Sequence, residues 1–101
     1  MAMIIIAGMV QVLPEKRDAA RAAAREMSVA PEQEPGCQVY RISEDTREPN
    51  TFRIFELWDD NAALQTHFQT PHMATFNGIL PTVLAGEPQA KRYDVHSVEY
   101  L

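Results

Sequence analysis

The sequence predicts an α+β fold of ferredoxin-like type, one four-stranded antiparallel sheet with its helices on one face. Three observations lead there. Hydropathy runs in the order strand, helix, strand, strand, broken helix, strand. No repeat, low-complexity tract or linker divides the 101 residues, so one domain spans positions 1–101. The strands are apolar on both faces, although helices can cover only one of them.

The first strand runs from Met3 to Val12. It sets Met3, Ile5, Ala7 and Met9 on one face and Ile4, Ile6, Gly8, Val10 and Val12 on the other. Pro14 suits a first helical turn, where its missing N–H would have no partner. The following helix extends to about Ser28, with Ala20, Ala24 and Met27 inward and Asp18, Arg21 and Arg25 solvated. Pro31, Pro35 and Gly36 mark a loop. Cys37 to Ser43 forms the second strand, with Cys37, Val39 and Arg41 opposite Gln38, Tyr40 and Ile42. A polar connection with Pro49-Asn50 leads into the third strand, Thr51 to Trp58, where Phe52, Ile54, Glu56 and Trp58 share a face. Asp59 or Asp60 caps the next helix, whose stripe is Ala63, Leu64, His67 and Phe68. Thr70-Pro71 stops it and starts another with Met73, Phe76 and Leu80 inward, which Pro81 interrupts or restarts. Ala90 to Tyr100 is the last strand.

Composition narrows the class of function. A net charge of −5 without a Lys/Arg run argues against nucleic acid or an anionic membrane as partner. A single cysteine, Cys37, permits no internal disulfide and fits a reducing, cytoplasmic setting. The apolar run from Met3 is too short to span a bilayer and lacks a basic flank. One sheet face left bare would be a larger apolar patch than soluble monomers usually carry, so a sheet-to-sheet homodimer is expected.

Pro35-Gly36-Cys37 before a strand with Tyr40, Phe55-Glu56-Leu57-Trp58, Ala63-Leu64-Gln65-Thr66-His67 and Thr70-Pro71-His72 resemble the antibiotic biosynthesis monooxygenase (ABM) family over nearly the whole chain. The resemblance implies a dimeric α+β barrel. It also implies cofactor-independent oxidation of a quinol, phenol or polyketide-type molecule by dioxygen. Other branches degrade haem, isomerise or degrade a phosphorylated quorum signal, or have no known turnover. The haem branch uses an Asn on the first strand, a Trp on the helix after the third strand and a His one helix later. Met9, His67 and Phe76 stand at those positions, which speaks against haem.

The candidate catalytic residues are His67 and His72. His67 lies on an apolar stripe, where a neutral ring could act as general base or substrate anchor; the plainer alternative is a core histidine with one satisfied hydrogen bond. His72 sits in a first helical turn, as base or simply as a surface or capping residue. A metal held by both is disfavoured: five residues turn about 140° around a helix, Pro71 intervenes, and no close carboxylate completes a set. Met9, Tyr40, Phe52, Glu56, Trp58, Phe68 and Phe76 make the expected pocket for a small aromatic molecule, or in part merely core. Glu56 needs a partner, with Arg41, Arg53 and Arg92 as candidates. No nucleotide fingerprint, phosphate loop or nucleophile elbow occurs, so no cofactor is expected. Two alternatives stay open: an isomerase or degrading enzyme for a small phosphorylated keto compound, with Arg53 or Arg92 on the phosphate, and a non-catalytic ligand-binding or stress-associated dimer.

Overall fold

The computed structural model describes residues 2–101. Its elements are β1 (Met3–Gln11), α1 (Arg17–Val29), β2 (Cys37–Glu44), β3 (Thr51–Trp58), α2 (Asn61–His67), α3 (Pro71–Val83) and β4 (Gln89–Val95). Short 3-10 turns at Pro14–Lys16 and Ala30–Gln33 flank α1. The four strands are antiparallel in the order β2-β3-β1-β4, the ferredoxin-like arrangement.

Strand register decides which side chains meet the helices. Ile4 pairs with Trp58, Ile6 with Glu56 and Val10 with Phe52, and this face packs beneath the helices. One core cluster joins Ile4, Met27, Tyr40, Trp58 and Leu64; a second joins Val12, Ala20, Ala24, Phe52 and Val83. The alanines of α1 are small enough to bring that helix close to the sheet. On the opposite face Ile5, Ala7, Met9, Val39 and Leu57 are only half-buried, and Phe55 and Tyr93 are exposed. The two-faced apolar pattern is therefore present, with the chain's own helices on one side of it.

Three expectations need correcting. A β-bulge between Cys37 and Val39 puts an extra residue, Gln38, into β2. Cys37 therefore shares the helix side with Tyr40 and Ile42, where strict alternation puts it opposite them. Pro81 does not break α3: the helix continues to Val83, and the Leu84 N–H still reaches the Leu80 carbonyl at 3.1 Å. The last strand ends at Val95 rather than Tyr100, because its partner β1 begins at Met3, opposite Val95, and offers nothing further to pair with.

β2 lies at the sheet edge, yet two of its outward N–H groups are occupied. Tyr40 N–H donates to Glu32 Oε2 at 3.1 Å and Ile42 N–H to Ser28 Oγ at 3.3 Å. No helix among the described residues is long and apolar enough to cross a membrane.

Candidate functional site

The site forms where the loop before β2 meets the break between α2 and α3. Asp60 caps α2 by accepting the Ala63 N–H at 2.9 Å. Thr70 caps α3 by accepting the Met73 N–H, and its hydroxyl donates to the His67 carbonyl at 2.8 Å. Pro71 then occupies the first helical position. The chain turns between the two helices, so the angular argument for a continuous helix does not apply. The His67 and His72 rings stand 6.0 Å apart.

The third member comes from the loop. Gly36 adopts φ +87°, and a Cβ there would lie 2.5 Å from the Ala63 Cβ, so only glycine lets the loop rest against α2. The Gly36 carbonyl also accepts the Asp59 N–H at 2.8 Å. Two residues earlier, Glu34 Oε2 lies 2.8 Å from His67 Nδ1 and 2.7 Å from His72 Nε2. A carboxylate only accepts, so both nitrogens donate to it, and in a neutral ring the lone pair is then on His67 Nε2 and on His72 Nδ1. Glu34 Oε1 and His67 Nε2 are buried without a hydrogen-bond partner among the described residues.

His67 is 1% exposed and packs 4.7 Å from the Trp58 ring and 5.5 Å from Tyr40. Burial, reinforced by the charge of Glu56, raises the pKa of the Tyr40 phenol well above its ordinary value. The Cys37 thiol is pushed up to about 12, chiefly by burial and then by Glu34 and Glu32, so it is a poor nucleophile here. Glu56 is buried on the same sheet face, and the Trp58 Nε1–H donates to its Oε1 at 2.9 Å. Burial pushes Glu56 up to about 7 against the pull of that hydrogen bond. The arginines considered as its partners are engaged elsewhere: Arg41 with Glu32, Arg53 with Asp45, and Arg92 with Asp94 and Asn61.

A cavity of about 230 Å³ lies between α1 and α3, lined by His72, Phe76, Met27, Ala23, Ala30 and Ile79, with Glu26 and Thr75. Of the residues expected to wall a pocket, Phe76 borders this one, and His72, expected as a base, borders it too. Tyr40 and Trp58 are packed as core beside His67, and Phe52 belongs to the second cluster. Met9 is on the wrong side: its register with Arg53 turns it to the face away from the helices. Phe68, at the end of α2, is 50% exposed, because the helix stops there and its stripe turns outward. Glu34 escaped the sequence reading because a loop carboxylate has no periodicity to announce it. The only cue was its place just before Pro35-Gly36.

Residues 3–78 match the family model for antibiotic biosynthesis monooxygenase. The chain belongs to the antibiotic biosynthesis monooxygenase family. It is 36% identical over 98 residues to the Synechocystis protein named "Uncharacterized protein sll1783", covering 97% of this chain and 67% of that one. It is 34% identical over 74 residues to the Bacillus subtilis protein named "Putative monooxygenase YcnE", covering 73% of this chain and 78% of that one. A crystal structure described as a "putative antibiotic biosynthesis monooxygenase" from Deinococcus radiodurans superposes with a TM-score of 0.87 at 26% identity, covering 97% of each chain. This ABM chain thus shares its fold with that structure.

Proposed function

We propose that this ABM protein is a cofactor-independent monooxygenase of quinols or related electron-rich phenols, with His72 as general base. The supporting observation is the Glu34–His67–His72 cluster with His72 at the wall of an apolar cavity. The Glu34 carboxylate holds His72 Nε2–H, orients the ring and stabilises the cation that forms when Nδ1 accepts a phenolic proton. The electron-rich anion passes an electron to dioxygen, and the radical pair closes a C–O bond. The peroxide then loses water: one oxygen stays on the substrate and the other leaves as water, with all four electrons drawn from the substrate. Phe76, Met27 and Ile79 supply apolar surface against a flat ring. No Arg or Lys lines this cavity, which sets this reading ahead of an isomerase for a phosphorylated compound.

The same reading includes a homodimer that covers the half-buried sheet face bearing Ile5, Met9, Phe55 and Leu57. Light scattering at micromolar concentration should give twice the chain mass, and a one-chain mass ends that part. Turnover is tested by following dissolved oxygen with a panel of quinols against boiled protein. A rate no greater than autoxidation across the panel would remove the oxygenase assignment.

A further inference from the structure

Hydrogen bonding does not complete the donor and acceptor count at Glu34, His67 and His72. One carboxylate oxygen serves both imidazoles, while Glu34 Oε1 and His67 Nε2 lie buried and unpaired among the described residues. Buried polar atoms are ordinarily satisfied, and the unpaired Oε1 beside two imidazole nitrogens marks a place where an ion or water completes the set. His67 Nε2 faces away from the cluster and is no part of it. The three side chains also offer one ligand atom each, all within 4.8 Å of one another. We infer that this cluster binds a divalent transition-metal ion of the zinc type through His67 Nδ1, His72 Nε2 and the Glu34 carboxylate.

Two imidazoles and a carboxylate form a donor set suited to Zn²⁺ or Co²⁺, leaving a coordination position open. Metal–ligand bonds of about 2.1 Å put neighbouring donors about 3.0 to 3.4 Å apart. The present separations of 2.8 and 2.7 Å therefore need to widen by about half an ångström to admit the ion. His67 is held by Trp58 and Tyr40, whereas Glu34 stands on a loop and His72 on the first turn of α3, and those two can give. A Glu34 that chelates through both oxygens also occupies the orphaned Oε1.

Metal binding and proton acceptance exclude one another here. In the free site the two nitrogens facing Glu34 carry N–H. A metal takes their lone pairs instead, so each ring must hold its proton on the other nitrogen. His72 Nδ1 then becomes a donor, and zinc silences the base. Only this consequence rests on the oxygenase reading; the binding does not.

The test uses the full chain after chelator treatment, titrated with ZnCl₂ by calorimetry and with CoCl₂ by visible absorption. Expected are one ion per chain and a cobalt spectrum without a thiolate band. Glu34→Gln and His72→Gln, both checked for native circular dichroism, should each weaken binding at least about tenfold. His96→Gln and Cys37→Ser should leave it unchanged. Unchanged affinity in Glu34→Gln and His72→Gln overturns the site, as does loss of binding in Cys37→Ser or His96→Gln. Where a quinol is turned over, one equivalent of zinc should abolish the rate and chelator restore it; an undiminished rate overturns the exclusion. If no quinol is turned over, the oxygenase reading falls while the cobalt spectrum still decides the metal site.

Discussion

Glu34 and Glu56 are both withdrawn from solvent, yet they meet opposite company. Glu34 stands on a loop that approaches a helix break end-on, and two imidazole nitrogens converge on one of its oxygens. Glu56 stands in the middle of a strand, where a period of two limits it to same-face neighbours. It finds one indole N–H two residues along, and burial pushes its acid up to about 7. What a buried carboxylate does here depends on the element that carries it. A loop can gather donors from several places, whereas a strand offers only what stands beside or across from it.

The largest effect expected from this contrast is on turnover. His72→Ala should lower the oxygenase rate by about 10²- to 10⁴-fold, the usual range for a positioned general base. Glu56→Gln, which keeps the acceptor for Trp58, should leave the rate within a few-fold. Oxygen-electrode kinetics on both variants test this, and equal losses would erase the distinction between the two carboxylates.

A smaller effect is expected on stability against pH. Glu56 is raised from 4.5 unfolded to about 7 folded, so the folded chain binds the extra proton between those values. Its favourable contribution is complete below about pH 4.5, is lost as pH rises toward 7, and changes little above that. The loss is at most about 3 kcal/mol. Urea titrations at pH 5 and pH 8 should show it in the parent chain and not in Glu56→Gln. Trp58→Phe, which removes the indole donor to the carboxylate, should carry the decline to higher pH.

The caps sharpen the comparison at the smallest scale. Asp60→Ala and Thr70→Ala should each cost about 1 kcal/mol in urea denaturation. Thr70→Ala should also loosen the Glu34 cluster, since the lost hydroxyl holds the turn between the two histidines. The pH dependence assigned to Glu56 should be untouched in both variants.

Much of the fold was legible because it rests on periodic signals. Alternation put Phe52, Glu56 and Trp58 on one face of β3 and Ile4, Ile6 and Val10 on one face of β1, though only the register brings those two faces together. Asp59 or Asp60, Thr70 and Pro71 marked the helix starts. The bulge at Gln38 was not legible, because one extra residue leaves no trace in an alternating pattern that is apolar on both sides. At the site, the sequence singled out the two histidines as candidates but gave no sign that they meet. Their convergence depends on the turn at residues 68–70 and on Glu34, some thirty residues upstream, which no local spacing connects to them. Met9 was misplaced because a similarity counted along the chain ignored the alternation that turns it away.

The outward N–H groups held by Glu32 and Ser28 bear on how this sheet meets its surroundings. A bare outer strand is a template on which a foreign strand can dock and aggregates can grow. Here a kink at Gln38 and two side-chain acceptors spoil that template along β2. Growth by added strands is therefore disfavoured along β2, which protects the flank next to Glu34 from such entanglement.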